Sequence, residues 1–257
     1  MPDTIIVPLD GSDSAERALG LAAVVADRTG AEVVVLTARQ GGVVVDPKAY
    51  LTEVAEAAGI ANPRPVVIDD RLAASAIVLV ASEARDPAVC MTTHARGGPG
   101  HALFGSVAEE TLGRAAAPIL LVGPRMPVGV PELRHLVVCL DGSDVASAII
   151  PSVSAWARAL GIDVTLVNVF DPEQPVDLEQ VANDLEADCG PVAWKSLSGR
   201  NAADAIVDFA AARPGTLLAL TSHGRTGLAR LAIGSVTMAV VRNATCPILT
   251  VRPSGLE

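Results

Sequence analysis

Aromatic side chains are scarce in this chain of 257 residues, at 2% of the total, although half of all residues are hydrophobic. A core of this composition has to be built from small and branched aliphatic side chains, which suits parallel strands covered by helices on both faces. Positive charge is also in short supply, since the formal net charge is −10. Because an acidic surface repels phosphate backbones and the arginines form no dense run, we expect no nucleic-acid partner.

Long apolar runs are missing as well, and no stretch reaches the roughly 20 apolar residues that a helix needs to span a bilayer. The first residues, Met1-Pro2-Asp3, lead straight into a strand-like segment without the basic and then apolar layout of a signal peptide. We therefore expect a cytoplasmic protein with no membrane partner. The four cysteines form no Cys-x2-Cys pair, which favours reduced thiols, mostly buried, over a disulfide or a metal site; they are Cys90, Cys139, Cys189 and Cys246.

Motifs of catalysis are absent from the sequence. It contains no Gly-x-Ser-x-Gly elbow, no Walker loop and no His-Glu-x2-His pair, and no nucleophile stands beside an evident base. His94 and His223 have no second ligand at metal-binding spacing, so a hydrogen bond that stabilises a loop is the better interpretation of each. The sequence thus favours binding over catalysis, and we expect neither an enzyme nor a metal site made of protein ligands alone.

A duplication is the strongest positive signal. The segment IIVPLDGSD at 5–13 matches LVVCLDGSD at 136–144, and THARGGPGHALFGSV at 93–107 matches SHGRTGLARLAIGSV at 222–236. A third match aligns Pro118 with Pro247, and the spacing between matched residues changes by only two along the chain. Matches in the same order at near-constant spacing indicate two copies of one domain.

The copies meet in a segment rich in proline and glycine, GPRMPVGVPELRH at 123–135, which has no periodicity and is typical of a short linker. We assign residues 1–125 to a first domain, 126–134 to a linker and 135–257 to a second domain. Both domains are close to the usual domain size.

Each copy alternates short apolar runs with amphipathic segments, which predicts right-handed strand–helix–strand units and an open parallel sheet of five strands flanked by helices, a Rossmann-like fold. The predicted strands are 4–9, 32–38, 65–68, 88–93, 118–122, 135–140, 163–169, 191–197, 216–221 and 247–252. The predicted helices are 15–29, about 48–58, 71–85, 106–116, 144–160, about 177–189, 201–212 and 235–243.

Ligands of such sheets bind beyond the carboxyl ends of the strands, where the strand order reverses. Asp10 or Asp141 ends the first strand of each copy at that edge, where it either contacts a ligand or only shapes a turn. After the fourth strand, Gly105-Ser106 or Gly234-Ser235 opens a helix whose exposed N–H groups favour an anion. Phosphate binding is one interpretation of this arrangement. In the alternative, Ser235 only caps the helix and the nearby arginines are solvated.

Together, VPLDGSDSAERAL, SHGRTGLARLAIGSV and the final CPILTV resemble the universal stress protein family, and the resemblance covers both copies. It implies ATP binding in those members that carry the pattern Gly-x2-Gly-x9-Gly-Ser/Thr. In the second copy this pattern falls on Thr221, Gly224, Gly234 and Ser235, so one glycine of three is replaced. In the first copy it falls on Thr92, Ala95, Gly105 and Ser106, and two are lost.

The resemblance also implies that the strand-one aspartate lies near the ribose and base, and that Ala38 or Val169 lines an adenine pocket. The family's strand-one proline is Pro8 in the first copy and Cys139 in the second. The candidate contacts in the second copy are Asp141, Val169, Thr221, His223, Gly224, Arg225, Gly227, Gly234, Ser235, Val236 and Thr237; in the first copy they are Pro8, Asp10, Gly105 and Ser106.

From the unequal loops we hypothesise that the second copy binds ATP, with Mg²⁺ or Mn²⁺ bridging the phosphates, and that the first binds it weakly or not at all. A stress-response regulator or sensor is the expected role. The alternatives are an interaction module that binds no nucleotide and, ranked last, a slow ATP-hydrolysing enzyme.

Assembly is a further expectation from the resemblance, because family members pair through their last strands. We expect ILLV at 119–122 and ILTV at 248–251 to pair as antiparallel edges within one chain, which makes an internal pseudo-dimer and covers two apolar edges. A further homodimer and an unidentified protein partner stay open.

Overall fold

The computed structural model describes residues 1–39, 46–93, 105–171, 175–222 and 233–252, and in these parts strands and helices alternate through both halves. The strands are β1 (Thr4–Pro8), β2 (Glu32–Arg39), β3 (Arg64–Asp69), β4 (Pro87–Thr92), β5 (Ile119–Val122), β6 (His135–Cys139), β7 (Asp163–Val169), β8 (Val192–Leu197), β9 (Thr216–Thr221) and β10 (Ile248–Val251). The helices are α1 (Asp13–Thr29), α2 (Pro47–Ala57), α3 (Ala73–Glu83), α4 (Ser106–Arg114), α5 (Asp144–Ser147), α6 (Ile150–Leu160), α7 (Leu178–Cys189), α8 (Ala202–Ala211) and α9 (Ser235–Asn243).

The strands form one sheet in the order β3-β2-β1-β4-β5-β10-β9-β6-β7-β8. All pairs within each half are parallel, so each half is the predicted five-stranded parallel sheet, and the two halves have the same strand order. The predicted α/β fold class is therefore confirmed. The two five-stranded sheets are joined into a single ten-stranded sheet.

The joint between the halves is the predicted pairing of the last strands. β5 and β10 run antiparallel, and Leu249 lies opposite Leu120. The hydroxyl of Thr250 also donates to the carbonyl of Ile119, at 3.2 Å. Each half thus covers the edge that the other would leave exposed, which is one way in which proteins suppress edge-to-edge aggregation.

Helices cover both faces of the sheet. On one face, α1 and α2 of the first half and α6 and α7 of the second pack over one apolar cluster; on the other, α3, α4, α8 and α9 pack over another. The clusters consist mostly of Ala, Val, Leu and Ile, as the lack of aromatics predicts. In the described parts of the chain, no helix is long and apolar enough to cross a membrane.

One predicted helix is wrong. The segment 144–160 is not continuous: α5 ends at Ser147, and α6 begins at Ile150 with Pro151 in its first turn. A proline has no N–H to donate and its ring collides with the carbonyl four residues earlier, which for Pro151 is that of Ser147. Both constraints disappear when the proline stands in the first turn of a new helix.

The linker between the halves is held against α1 by two arginines. The Arg28 Nη1 atom donates to the carbonyl of Leu133, at 2.8 Å, and to that of Leu160 in the second half, at 2.7 Å. The Arg17 guanidinium donates to the carbonyls of Gly123 and Met126. Because these bonds run from one helix to the linker and to the other half, they fix the path of the linker.

We expect the substitution Gly123→Ala to destabilise the protein by about 1–3 kcal/mol, as overpacking does. A Cβ atom at Gly123 would lie 2.6 Å from the backbone carbonyl oxygen of Val241 on α9, and backbone atoms cannot step aside cheaply. Urea unfolding of both proteins measures the effect. The control, Arg125→Ala, changes an exposed neighbour and should shift the free energy of unfolding by less than about 0.5 kcal/mol. Equal effects for the two variants would contradict the close approach of the halves at Gly123.

Candidate functional site

The sheet has two places where a ligand site is expected. Strand order reverses between β1 and β4 in the first half, and between β6 and β9 in the second. In open parallel sheets, the crevice at such a reversal, beyond the carboxyl ends of the strands, is where ligands bind. Most of the predicted site residues lie at the ends of these four strands or in the segments that follow them.

The aspartates that follow β1 and β6 both shape turns. An Asp10 carboxylate oxygen accepts hydrogen bonds from the Ser12 N–H at 3.1 Å and the Ser12 hydroxyl at 2.5 Å. Asp141 holds Ser143 in the same way, at 3.0 and 2.6 Å. The serines in turn cap α1 and α5. The turn-shaping role is therefore confirmed, and it places a carboxylate at each reversal.

Each fourth strand leads to a helix whose N-terminus has no side-chain cap. Gly105 precedes α4 and Gly234 precedes α9, and neither N-terminus receives a side-chain hydrogen bond. Both glycines are tied back to the strand end: Gly105 N–H donates to the carbonyl of Thr93 at 2.7 Å, and Gly234 N–H to that of Ser222 at 3.0 Å. Among the described residues, the first N–H groups of each helix have no partner within the helix or from a capping side chain, and such an N-terminus favours anions.

This geometry corrects one interpretation of Ser235. Ser235 is the first residue of α9 and is exposed, while Gly234 occupies the capping position, so the serine does not cap the helix. Ser106 has the same place at the start of α4. Either hydroxyl stands beside the first N–H groups of its helix and can donate to the same anion.

The other described candidate residues of the second half lie at the ends of β7 and β9 and on α9. Thr221 ends β9 and Thr237 lies on α9; both are buried, and the Thr237 hydroxyl donates to the Thr221 carbonyl at 3.0 Å. This bond fixes α9 relative to β9. Val169 ends β7, and Val236, beside Ser235, is 40% exposed, which leaves apolar surface at the edge.

Four predicted contacts, His223, Gly224, Arg225 and Gly227, lie outside the described residues. The missing family glycine at Thr221 can nevertheless be judged. Thr221 is extended as the last residue of β9, a conformation that any residue adopts, so its replacement of glycine requires no strained backbone.

The first half contains a formed cavity at its reversal point. The cavity holds about 100 Å³, and the cleft reaches about 620 Å³ when its mouth, open to solvent, is included. Pro8, Asp10 and Gly105 are brought together around it. The rest of its wall is mostly apolar and includes Leu36, Ala38, Ile77, Met91 and Ala108.

The sequence argument missed most of this wall. It named Ala38 only through the family resemblance, and it did not identify Leu36, Ile77, Met91 or Ala108. A signal was present in β2, because Leu36 and Ala38 lie two apart and so share one face of a strand. What joins them to Ile77 on α3 is the packing of that helix over the sheet, which the local pattern does not contain.

Metal and redox chemistry have little support in the described parts of the chain. There, no group of three or more His, Cys, Asp or Glu side chains could hold a metal ion. All four cysteines are free thiols. Burial raises the pKa of Cys90 and Cys139 far above the usual range and that of Cys246 to about 12, so these thiols stay protonated and unreactive at neutral pH.

Comparison with known proteins points to one family. The family model described as "Universal stress protein family" matches residues 1–123 and 174–252. A universal stress protein of Methanocaldococcus jannaschii is 42% identical over 144 residues, covering 48% of this chain and 85% of that protein. A universal stress protein of Mycobacterium tuberculosis is 26% identical over 186 residues, covering 65% of this chain and 62% of that protein.

Among solved structures, a universal stress protein from Archaeoglobus fulgidus superimposes with a TM-score of 0.69 at 18% identity. The match covers 99% of this chain and 100% of the other. At this identity the likeness shows the fold, and it extends over both halves.

Proposed function

Because the chain belongs to the universal stress protein family, we propose that it binds an adenine nucleotide, ATP, in its second half and acts as a stress-response regulator without catalysis of its own. The observation that carries the proposal is the start of α9. It is a helix N-terminus without a side-chain cap, preceded by Gly234 and placed at the strand-order reversal that also receives Asp141.

The phosphate end of the nucleotide would lie at α9. The first turn of this helix contains no acidic residue, so nothing there offsets the partial positive charge of the helix N-terminus. The N–H groups of the first turn and the Ser235 hydroxyl supply donors for phosphate oxygens. The hydrogen bond between Gly234 and Ser222 holds these donors in place before a ligand arrives, which lowers the entropic cost of binding.

The base and ribose would lie towards β6 and β7. Val169 ends β7 on the same edge of the sheet and offers an apolar contact for a flat ring. The Asp141 carboxylate can accept hydrogen bonds from ribose hydroxyls while it keeps its bonds to Ser143. The site thus has an apolar part and an anion-binding part, as an adenine nucleotide requires.

A divalent cation would bind at this site only together with the phosphates of the nucleotide. In proteins Mg²⁺ is commonly held by one or two carboxylates together with phosphate oxygens and waters. Asp141 is the carboxylate at the end of β6, and the described residues around it form no complete ligand set. Mg²⁺ or Mn²⁺ would therefore arrive with the nucleotide, to offset the charge of its phosphates.

The proposal assigns no reaction to the protein. In the described residues at the second reversal, the side chains with acid–base capacity are the carboxylate of Asp141, already bonded to Ser143, and the thiol of Cys139, whose pKa burial raises. The raised pKa keeps the Cys139 thiol protonated, and Asp141 already holds the turn through Ser143, so we propose binding without a catalytic step. A regulator would instead change its contacts with a protein partner when the nucleotide binds.

The test begins with the protein as purified. Denaturation followed by mass spectrometry of the released small molecules should detect adenine nucleotide, and calorimetry on ligand-free protein should give saturable ATP binding at one site per chain. Protein that neither carries adenine nucleotide nor binds added ATP–Mg²⁺ would exclude the proposal and favour an interaction module. Metal-dependent release of phosphate that is lost in Asp141→Ala would contradict the absence of catalysis.

A further inference from the structure

A polar cleft lies at the amino end of β6, where the linker and the two halves meet. Arg28 of α1 reaches it from the first half, Arg134 from the linker and Arg158 of α6 from the second half. The cleft holds about 740 Å³ and is open to solvent, and small-molecule sites usually measure about 300–1,000 Å³. The proposed nucleotide would lie beyond the carboxyl end of the same strand, so β6 separates the two places.

The charge of this cleft is opposite in sign to that of the whole chain. The formal net charge of the chain is −10. Among the described residues, however, three arginines line the cleft against one carboxylate, that of Asp163. The Asp163 side chain is 88% exposed and lies 4.0 Å from the Nδ1 atom of His135, so solvent screens most of its charge. A basic cleft in an acidic surface attracts anions and raises their local concentration.

The Arg28 guanidinium is held in place by groups that carry no formal charge. Its Nη1 atom donates to the carbonyls of Leu133 and Leu160, and its Nε and Nη2 atoms carry further N–H donors. The bond to Leu160 also matters because this residue ends α6, and the C-terminus of a helix repels anions. Arg28 and Arg158, which lies in the last turn of α6, offset that partial negative charge.

The other two arginines can also turn their guanidinium groups to a ligand. In the described parts of the chain, the exposed Arg158 side chain makes neither a hydrogen bond nor an ion pair. Arg134 pairs with Glu132 at 2.6 Å, but both side chains are more than half exposed, so the pair is weak and a ligand can compete with it. The stem of Arg134 packs against Gly215, where a Cβ atom would lie 3.0 Å from the Arg134 Cγ atom.

We infer that this cleft is a second binding site, which takes a small anion with more than one negative charge, carried on phosphate or carboxylate groups. Guanidinium groups bind both kinds of oxyanion through paired N–H···O bonds. Arg28 and Arg158 belong to different halves, so the bound anion bridges the halves beside the linker. The site goes beyond the proposed function and does not depend on it.

Titration calorimetry without divalent cations tests the site with two probes, pyrophosphate and citrate. At least one of them should bind with a dissociation constant below about 1 mM. Arg158→Gln and Arg134→Gln should each weaken binding about 10-fold or more, because each removes a hydrogen-bond donor with a full charge. The matched control is Arg85→Gln, which should leave the affinity within about 2-fold. Arg85 precedes β4 at the same edge of the sheet, but it pairs with Asp3 and does not line the cleft.

Each outcome bears on the cleft or on the nucleotide site. Tighter binding of pyrophosphate indicates a phosphate ligand and tighter binding of citrate a carboxylate, and either supports the inference. Binding of neither probe below about 1 mM overturns it, as does unchanged affinity in both Arg158→Gln and Arg134→Gln. Pyrophosphate binding that Gly234→Asp abolishes and Arg158→Gln leaves intact would belong to α9 and also overturns it. Loss of ATP–Mg²⁺ binding alone, with the cleft still occupied, overturns only the proposed function.

A variant that makes the cleft more basic tests the electrostatic reason. Asp163→Asn removes the carboxylate that lines the cleft and should raise the affinity for the anion about 1.5- to 5-fold, the range for one exposed charge. Added sodium chloride should weaken binding to the wild-type protein, because salt screens exposed charges. The same calorimetry measures both effects. A lower affinity in Asp163→Asn, or binding that salt does not weaken, would contradict recognition of the anion by charge and overturn the inference.

Discussion

The substitution Gly234→Asp is expected to weaken ATP binding at least 100-fold, about 2.7 kcal/mol, while the protein stays folded. Gly234 has φ −57° and ψ 141°, values that any residue adopts, and aspartate is among the best helix-capping residues. Its carboxylate would accept hydrogen bonds from the first N–H groups of α9 and place a negative charge where a phosphate has to lie. Two unit charges 4 Å apart near a protein surface repel by about 4 kcal/mol, which is more than the loss predicted.

Two controls make this result specific. Gly234→Asn caps the helix about as well as aspartate but carries no charge, so the difference between the two variants isolates electrostatic repulsion. Gly105→Asp makes the same change at the start of α4 and should leave ATP affinity within 2-fold. Calorimetry with ATP–Mg²⁺ measures all three. An ATP stoichiometry near two that falls to one in Gly105→Asp would mean that both halves bind nucleotide.

Much of the fold follows from the sequence because the signals are local or repeated. Buried parallel strands are read from short runs such as TIIVPL and ILLV, which are apolar on both faces. The repeat then doubles the information, since a strand assigned in one half supports its counterpart in the other. The pairing of β5 with β10 followed from the family resemblance, and the apolar edges of both strands supplied its physical reason.

The break between α5 and α6 could also have been predicted, because Pro151 lies within the segment. The helical periodicity of the segment favoured a continuous helix instead. The first-half cavity is a different case. Its wall joins β2, α3, β4 and α4, and the space between them depends on how closely α3 approaches the sheet. Such distances between distant segments are set by the whole core and have no local sequence pattern.

In the candidate site, too, the features set by a short local motif could be predicted and those set by distant segments could not. Ser12 and Ser143 cap their helices through side-chain bonds three residues ahead, which a short motif specifies. The bond from Gly234 N–H to Ser222 O closes a loop between a strand and a helix, and it was not predictable from either end. Single differences between the halves, such as Glu109 against Met238, acquire meaning only once the fold places them beside a helix N-terminus.

Loss of the side chain at Leu120 is expected to destabilise both halves together, by about 2–5 kcal/mol. Leu120 is fully buried on β5, beside Cys90 of its own half and opposite Leu249 of the other. Leu120→Ala leaves a cavity at the joint between the halves. The same apolar cluster holds residues from both, including Val25 and Leu160, so a cavity there weakens packing on either side of the joint.

Urea unfolding followed by circular dichroism measures this effect, with Val128→Ala as the control because that linker valine is 84% exposed. The control should change the free energy of unfolding by less than about 0.5 kcal/mol. A single transition, moved to lower urea in Leu120→Ala with its slope unchanged, is expected if the ten-stranded sheet unfolds as one unit. Two separate transitions, with only the first half destabilised, would show that the β5–β10 joint contributes little and that each half is stable by itself. The distinction bears on function, because only a cooperative joint lets a ligand in one half stabilise the other by mass action.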